Sequence, residues 1–215
     1  MRIAVISEFS ARDKNVHILE ALGDIDAQVY NVGMTKDGTE NELSYIHTGL
    51  MAGLSLASKA ADFVIGGCGT GQGFAISAMQ YPGVYCGLIT NPLDAWLFSQ
   101  INHGNCISLA LNKGFGWAGD IQLSYIFEKL FTDIPGEGYP PHRSEPQRKS
   151  RAILQEINEI THKDFPSILR TIKPEIYTHI IQHKPFLDFI QNQAKENELR
   201  NMILNIDKQS LVPSA

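Results

Sequence analysis

Two apolar spacings alternate along the first two thirds of the chain. Short β-branched and aliphatic runs occur at 3–6, 28–32, 63–65, 84–88 and 106–109. Each is followed by a longer stretch, at 13–22, 43–59, 73–80, 92–102 and 117–131, with apolar residues at helical intervals. Strand-length apolar runs without a polar face are strands buried on both sides, and their alternation with helices specifies a parallel sheet covered on both faces. The predicted fold is therefore α/β, a five-stranded parallel Rossmann-like sheet in the flavodoxin-type order 2-1-3-4-5, doubly wound. Asn91-Pro92 opens one of the helices and Tyr81-Pro82-Gly83 closes another.

Beyond this alternation the pattern changes. All 18 glycines lie at or before Gly138, and the last 77 residues have none. Glycine marks tight strand–helix turns, so its loss separates a turn-rich part from a helical one. Tyr139-Pro140-Pro141-His142-Arg143 is an extended basic connector, and 149–160 has a helical pattern. Pro166, Pro174 and Pro185 then punctuate further helical stretches whose apolar positions include Leu169, Ile176, Ile180, Phe186 and Phe189. The expected division is an α/β domain at 1–160 and a helical C-terminal extension at 161–215. Eight basic and eight acidic residues balance from Arg151 to Ala215, which makes the extension a packing element rather than a charged arm.

Composition narrows the function. With 43% hydrophobic and 19% charged residues the chain is globular rather than disordered, and its apolar runs fall far short of the roughly 18 residues of a membrane span. The start lacks the features of a secretory signal, so a cytoplasmic location is expected. Eighteen basic against 23 acidic residues, net −5, argue against nucleic acid or an anionic membrane as partner and favour a small polar ligand. Cys68, Cys86 and Cys106 fit no zinc or disulfide spacing and are expected to be free thiols, the latter two as fillers in apolar strands.

The third strand runs into Gly66-Gly67-Cys68-Gly69-Thr70-Gly71-Gln72-Gly73 and then a helix. Such a loop offers backbone N–H groups and a helix N-terminus to an anion. It has no Gly-Lys-Ser/Thr and follows the third strand rather than the first, so it is neither a Walker loop nor a dinucleotide fingerprint. Its thiol is the distinguishing group, since a helix N-terminus favours the thiolate, which acts as base or nucleophile. In the predicted strand order a crevice opens between the carboxyl ends of strands one and three, where Glu8-Phe9-Ser10 faces Cys68-Gly69-Thr70. A carboxylate for hydroxyls opposite amides for an oxyanion suits a polyhydroxylated anion such as a sugar phosphate.

Arg2-Ile3-Ala4-Val5, the Tyr45/His47 segment, the Gly67–Gly73 loop, Pro82-Gly83-Val84, Asn91-Pro92 with Ala95 and Leu97, and Asn102 together resemble the ribose-5-phosphate isomerase B / galactose-6-phosphate isomerase family. The likeness spans about residues 1–155, and the remainder looks like the extension carried by a subset of that family. The resemblance implies aldose–ketose isomerisation of a phosphorylated sugar through an enediolate, without metal or cofactor, in homodimers or dimers of dimers whose sites are built from both subunits. It makes Cys68 the base that moves the proton between C2 and C1, and Thr70 the hydroxyl that assists at the substrate oxygens. Gly69, Gly71, Gln72 and Gly73 become the amide donors to the enediolate. Glu8, Tyr45 and Asn102 become substrate contacts, and Lys113, Arg143 and Arg148 the phosphate cations.

Two family histidines are replaced. Phe9 stands where one contacts phosphate, and Ile101 where one opens the sugar ring. Either His103 takes over ring opening, or the substrate is a short or atypical sugar that needs none; the latter is the expectation. His47 falls on a helix pattern, where a packing role is as natural as a functional one. The expected activity is an isomerase of the ribose 5-phosphate/ribulose 5-phosphate type, the alternative being a non-catalytic sugar-phosphate binding or regulatory module. A covalent thiol mechanism is less favoured because no histidine neighbours Cys68 in the sequence.

Overall fold

A computed structural model describes residues 1–38 and 41–209, with side chains as far as Asn205. Five parallel strands, β1 (Arg2–Ser7), β2 (Gln28–Asn31), β3 (Phe63–Cys68), β4 (Cys86–Ile89) and β5 (Cys106–Ala110), form the sheet. Its order is β2-β1-β3-β5-β4. The expected neighbours β2-β1-β3 are present, so the crevice between β1 and β3 stands. The other side departs from the predicted order: β5 lies beside β3, with Val64 opposite Cys106 and Cys68 opposite Ala110, and β4 is the edge strand. Local periodicity specifies that a crossover returns to the sheet but not how many slots it skips, and here the one after β3 skips one.

Period-two alternation divides the core between the two faces of the sheet. Ala4, Ile6 and Val64 point to one side, where α2 (Tyr45–Ala57) and α3 (Gln72–Ala78) bring Leu50, Met51, Leu54 and Phe74. Ile3, Val5, Ile65 and Ile107 point to the other, against Ile18 and Leu22 from α1 and its exit and against Leu123, Ile126 and Phe127. α1 spans Asn15–Ala21 and α5 Gly119–Phe131. The helix expected at 92–102 is α4 (Pro92–Leu97) continued by a wider turn of π-helix, Phe98–Asn102, which ends at His103 in left-handed backbone geometry (φ 47°).

The region after the connector contains two different kinds of helix. α6 (Ser144–Thr161) buries none of its residues, although Ile153, Leu154, Ile157 and Ile160 line up along it at 48–83% exposure. The next four helices, α7 (Phe165–Thr171), α8 (Pro174–Gln182), α9 (Lys184–Gln193) and α10 (Glu198–Gln209), join the core on the α2 side of the sheet. Phe186 and Ile190 are fully buried, and Ile180 and Phe189 nearly so. Each such side chain contributes about 1.5–3 kcal/mol of transfer free energy. Polar ties supplement this packing. His183 Nε2 lies 3.0 Å from the Val32 carbonyl, Arg2 donates to the Gln193 carbonyl at 3.1 Å, and the Lys195 amide donates to the Ser58 carbonyl at 3.0 Å.

Candidate active site

Strand β3 is longer than its apolar run and ends at Cys68, so the thiol sits on the last strand residue, 6% exposed, rather than midway round a loop. The chain then turns through Gly69, Thr70 and Gly71 into α3. Gly71 has φ +76°, and a Cβ there would meet the backbone of Leu109 at 3.0 Å, so glycine is required. Ser108 donates its hydroxyl to the Gly71 carbonyl, and the Asn112 and Lys113 amides donate to the Gly69 carbonyl at 3.0 and 2.9 Å. The turn is thus fixed from below by β5 and its exit. The Thr70 hydroxyl is 3.9 Å from the Cys68 sulfur and accepts from the Gln72 amide at 3.3 Å.

Across the crevice, Glu8 is the buried first residue after β1. One oxygen of its carboxylate accepts from the Ser10 amide at 3.1 Å and from the Ser10 hydroxyl, capping the 3-10 turn Phe9–Lys14. That hydroxyl in turn accepts from the Gly69 amide at 3.1 Å, and Asn112 donates to the Ser10 carbonyl at 2.7 Å. Ser10, expected in the crevice beside Glu8, and Asn112, which no motif singles out, therefore tie the acid to the cysteine turn. Beneath them Asn15 donates to Ser7 and Asn31, both at 3.0 Å. The predicted meeting of Glu8 with the Cys68 turn is present.

Tyr45, the first residue of α2, lies over the same turn, and a Cβ on Gly73 would come 3.0 Å from its ring. Lys113 is exposed and shares with Thr70, Thr90 and Gln122 the wall of a recess of about 260 Å³ beside the loop. Phe9 packs against the core, and the Arg12 guanidinium stacks 4.4 Å above its ring.

The remaining predicted residues are elsewhere. β5 enters the sheet opposite Val64 and reaches the level of Cys68 only at Ala110. Asn102 and His103 precede it, so at about 3.3 Å per residue they are more than about 13 Å from the thiol, at the opposite end of the sheet. Within one chain, His103 and Asn102 do not join Cys68. His103 closes the wide turn, its amide donating to the Phe98 carbonyl at 2.9 Å, and burial and the nearby Arg151 lower its pKa. Arg151, which sequence reasoning missed, donates to the carbonyls of Ile101 and Gly136 at 2.8 and 3.0 Å. The connector follows, Gly136 and Gly138 donating to the Ser99 and Gln100 carbonyls, both at 3.0 Å. Arg143 ends the connector, in a 3-10 turn over Pro141–Arg143 rather than extended chain, and Arg148 lies beyond it; both are exposed, Arg148 pairing with Glu145 at 2.9 Å. Cys106 is a buried filler, its thiol pKa pushed up by burial and by Cys86 on the adjacent strand.

The model of the family described as Ribose/Galactose Isomerase matches residues 3–126. The chain belongs to this family. No curated protein sequence matches it. Among solved structures, one described as 4-deoxy-L-threo-5-hexosulose-uronate ketol-isomerase complexed with a tartrate is 38% identical. It aligns over 96% of this chain and 98% of its own, with a TM-score of 0.91. One described as ribose-5-phosphate isomerase LacAB_rpiB from Vibrio parahaemolyticus is 43% identical, aligning over 94% and 97% with a TM-score of 0.90. The type B ribose 5-phosphate isomerase of Leishmania infantum, at 20% identity and a TM-score of 0.61, covers 74% of this chain and 96% of its own, a likeness of fold. The first two isomerase-family structures thus match nearly the whole chain, whereas the shorter one leaves about a quarter of it unmatched. No described helix is long and apolar enough to cross a membrane, and no group of three metal-ligating side chains occurs among the described residues.

Proposed function

We propose that the chain is an aldose–ketose isomerase of a small anionic sugar in which Cys68 carries the proton between C2 and C1 of an enediolate. The observation that carries this reading is the link from Glu8 through Ser10 to Gly69, which places a carboxylate, a thiol and the loop amides around one crevice. The free oxygen of Glu8 receives a sugar hydroxyl. The Gly73 amide, at the start of α3, is the donor for the oxygen on which charge develops, those of Gly69, Gly71 and Gln72 already donating to Ser10, the Cys68 carbonyl and Thr70, and Thr70 passes protons between the two oxygens. Among the described residues no histidine bonds to Cys68, which favours proton transfer over covalent catalysis.

Two relatives of similar likeness are named for different substrates, a phosphorylated pentose and a deoxy-hexosulose uronate. Both carry an anionic end. A 4-deoxy sugar with a carbonyl at C5 has no hydroxyl at C4 or C5 to close a ring on C1, so its isomerisation needs no ring opener. Ile101 in place of the ring-opening histidine agrees with such an open-chain substrate. We therefore favour a sugar acid of the uronate type over ribose 5-phosphate.

The enzyme is proposed to work as a homodimer, or a dimer of dimers, in the cytoplasm, its 1–160 domain forming the site and residues 161–215 an extension. Asn102, Arg143 and Arg148 then come from the partner, and the exposed apolar line of α6 supplies the contact. Lys113 and the partner's two arginines hold the anionic end.

Incubation in D₂O with 4-deoxy-L-threo-5-hexosulose uronate and, separately, ribose 5-phosphate tests the reading. Deuterium at C2, with kcat/KM at least about tenfold higher for the uronate, is expected. A reversed preference overturns the choice of substrate, and absence of exchange with both leaves a binding module.

A further inference from the structure

We propose that the C-terminal extension acts on the site through His179, a positioning residue that holds His47, and with it the first turn of α2 and Tyr45, against the cysteine turn. The proposal rests on the preceding reading only in taking residues 68–73 as the functional turn.

The start of α2 has two tasks: its first residue covers Gly73, and the amide before it needs an acceptor. His47, at the third helical position, supplies it. Its Nδ1 accepts from the Ser44 amide at 3.0 Å and lies 3.2 Å from the Ser44 hydroxyl. Glutamate or glutamine is the usual residue for this reach-back, and a histidine does the same only while Nδ1 is unprotonated. Neutral His47 therefore carries its proton on Nε2.

The His47 ring is not held by α2 alone. It stacks on the ring of His179 from α8, centroids 4.8 Å apart and planes 18° from parallel. His179 Nδ1 donates to the Glu175 carbonyl one turn back, at 2.9 Å, which fixes that ring on its own helix. α8 is a firm base, with Tyr177, Ile180 and Ile181 buried. A second tie runs parallel to the stack, since Asn41 donates to the Gln182 side chain at 3.0 Å. The Leu43 carbonyl, between Asn41 and α2, accepts the Phe9 amide at 2.9 Å, next to Glu8. Both walls of the crevice, Glu8–Phe9 and Tyr45, thus lead back to α8.

Burial and the adjacent His179 hold the His47 pKa below its ordinary 6.5, and His179 is the titratable group acting on it among the described residues. Glu175 presents its carbonyl to His179, and no carboxylate forms an ion pair with either ring among those residues. Adding a proton to His47 removes the capping acceptor and sets a cation against the His179 ring. The native state binds this proton less readily than the unfolded chain, so the contribution is complete above about pH 6.5 and is lost as pH falls from there toward the lowered native pKa.

Hydrogen–deuterium exchange on the full-length protein at pH 7.5 tests the proposal without any substrate. His179→Ala is expected to speed exchange of the Ser44 and Thr48 amides and of amides 69–75 by about tenfold or more and leave the β3 amides unchanged, whereas His179→Phe, which keeps a stacking ring, stays within about threefold. Should His179→Ala fail to fold, His179→Leu fills the volume without a polar aromatic ring and is read in the same way. At pH 5.5, after correction for intrinsic exchange, the wild type is expected to loosen in both segments, and His47→Gln, whose acceptor does not titrate, is not. Unchanged exchange in the alanine or leucine variant overturns the proposal, even if the enzyme isomerises the uronate. Loss of protection supports it even if no isomerase activity is found.

Discussion

At the carboxyl ends of β1 and β3, the candidate residues are bonded to one another: Glu8 to Ser10, Ser10 to Gly69, Asn112 to Ser10 and Tyr45 packed on Gly73. At the amino end of β5, Asn102, His103, Arg143 and Arg148 are exposed, and what order they have comes from Arg151 and the backbone of the connector. The first set has the preorganisation that the proposed enediolate chemistry requires. The second has cations and an amide with nothing of the sort to act on within the same chain. The proposed site thus has two halves that lie apart within one chain, and α6, with its bare apolar line, is tied to the second through Arg151. The difference teaches that within one chain Glu8, the cysteine turn and Tyr45 are held to one another, whereas Asn102, His103 and the two arginines are not held to them, and it is this gap that the proposed second subunit would fill.

The sharpest way to break this contrast is at the thiol. Cys68→Ala should lower kcat by at least about 100-fold while KM changes little, because the group acts in the transition state. Near-normal turnover would remove the base from the bonded half. Next in size, Ile157→Glu on α6 should shift the protein to monomers in analytical ultracentrifugation and reduce kcat/KM by more than about tenfold, leaving the fold intact because Ile157 is about half exposed in the single chain. A monomer of full activity would show that the site needs no partner.

Smaller effects sharpen the division. Single alanine substitutions of Lys113, Arg143 and Arg148 should raise KM about three- to tenfold, increasingly so at low salt, with kcat held. If none of them does, the anionic end lies elsewhere. His103→Ala should change kcat on the open-chain uronate by less than about twofold, since nothing in that substrate asks for a ring opener. A large loss there, or on a cyclic sugar phosphate, would return His103 to catalysis.

The bonded half was the legible half. Glycine spacing, a cysteine at a strand end and the period-two strands are local signals, and they placed Cys68, Gly69, Thr70, Gly71, Gln72, Gly73 and Glu8 in one crevice. Ser10 was expected in the crevice with Glu8, but its bond to Gly69 had no local sign, because a serine in a turn is common and the bond spans 59 residues of sequence. The separation of Asn102 and His103 from Cys68 was not legible, because it depends on the direction in which α4 and its wide turn run back along the sheet. The same holds for the exchange of β4 and β5, and for Arg151, whose partners are backbone carbonyls that leave no pattern in the sequence. In the extension, apolar spacing foretold buried Ile180, Phe186 and Phe189, whereas the meeting of His179 with His47 joins residues 132 positions apart by number and had no local sign.

The most direct test of a site divided between subunits is complementation. Cys68→Ala and Asn102→Ala proteins are prepared separately, each nearly inactive, then mixed, dissociated and reassociated, and assayed for C2 deuterium exchange on the uronate. Random pairing puts both intact halves together in one of the two sites of every mixed dimer, so activity should return to about a quarter of the wild-type value. A mixture no more active than its two components, or an Asn102→Ala protein with full activity on its own, would contradict the account.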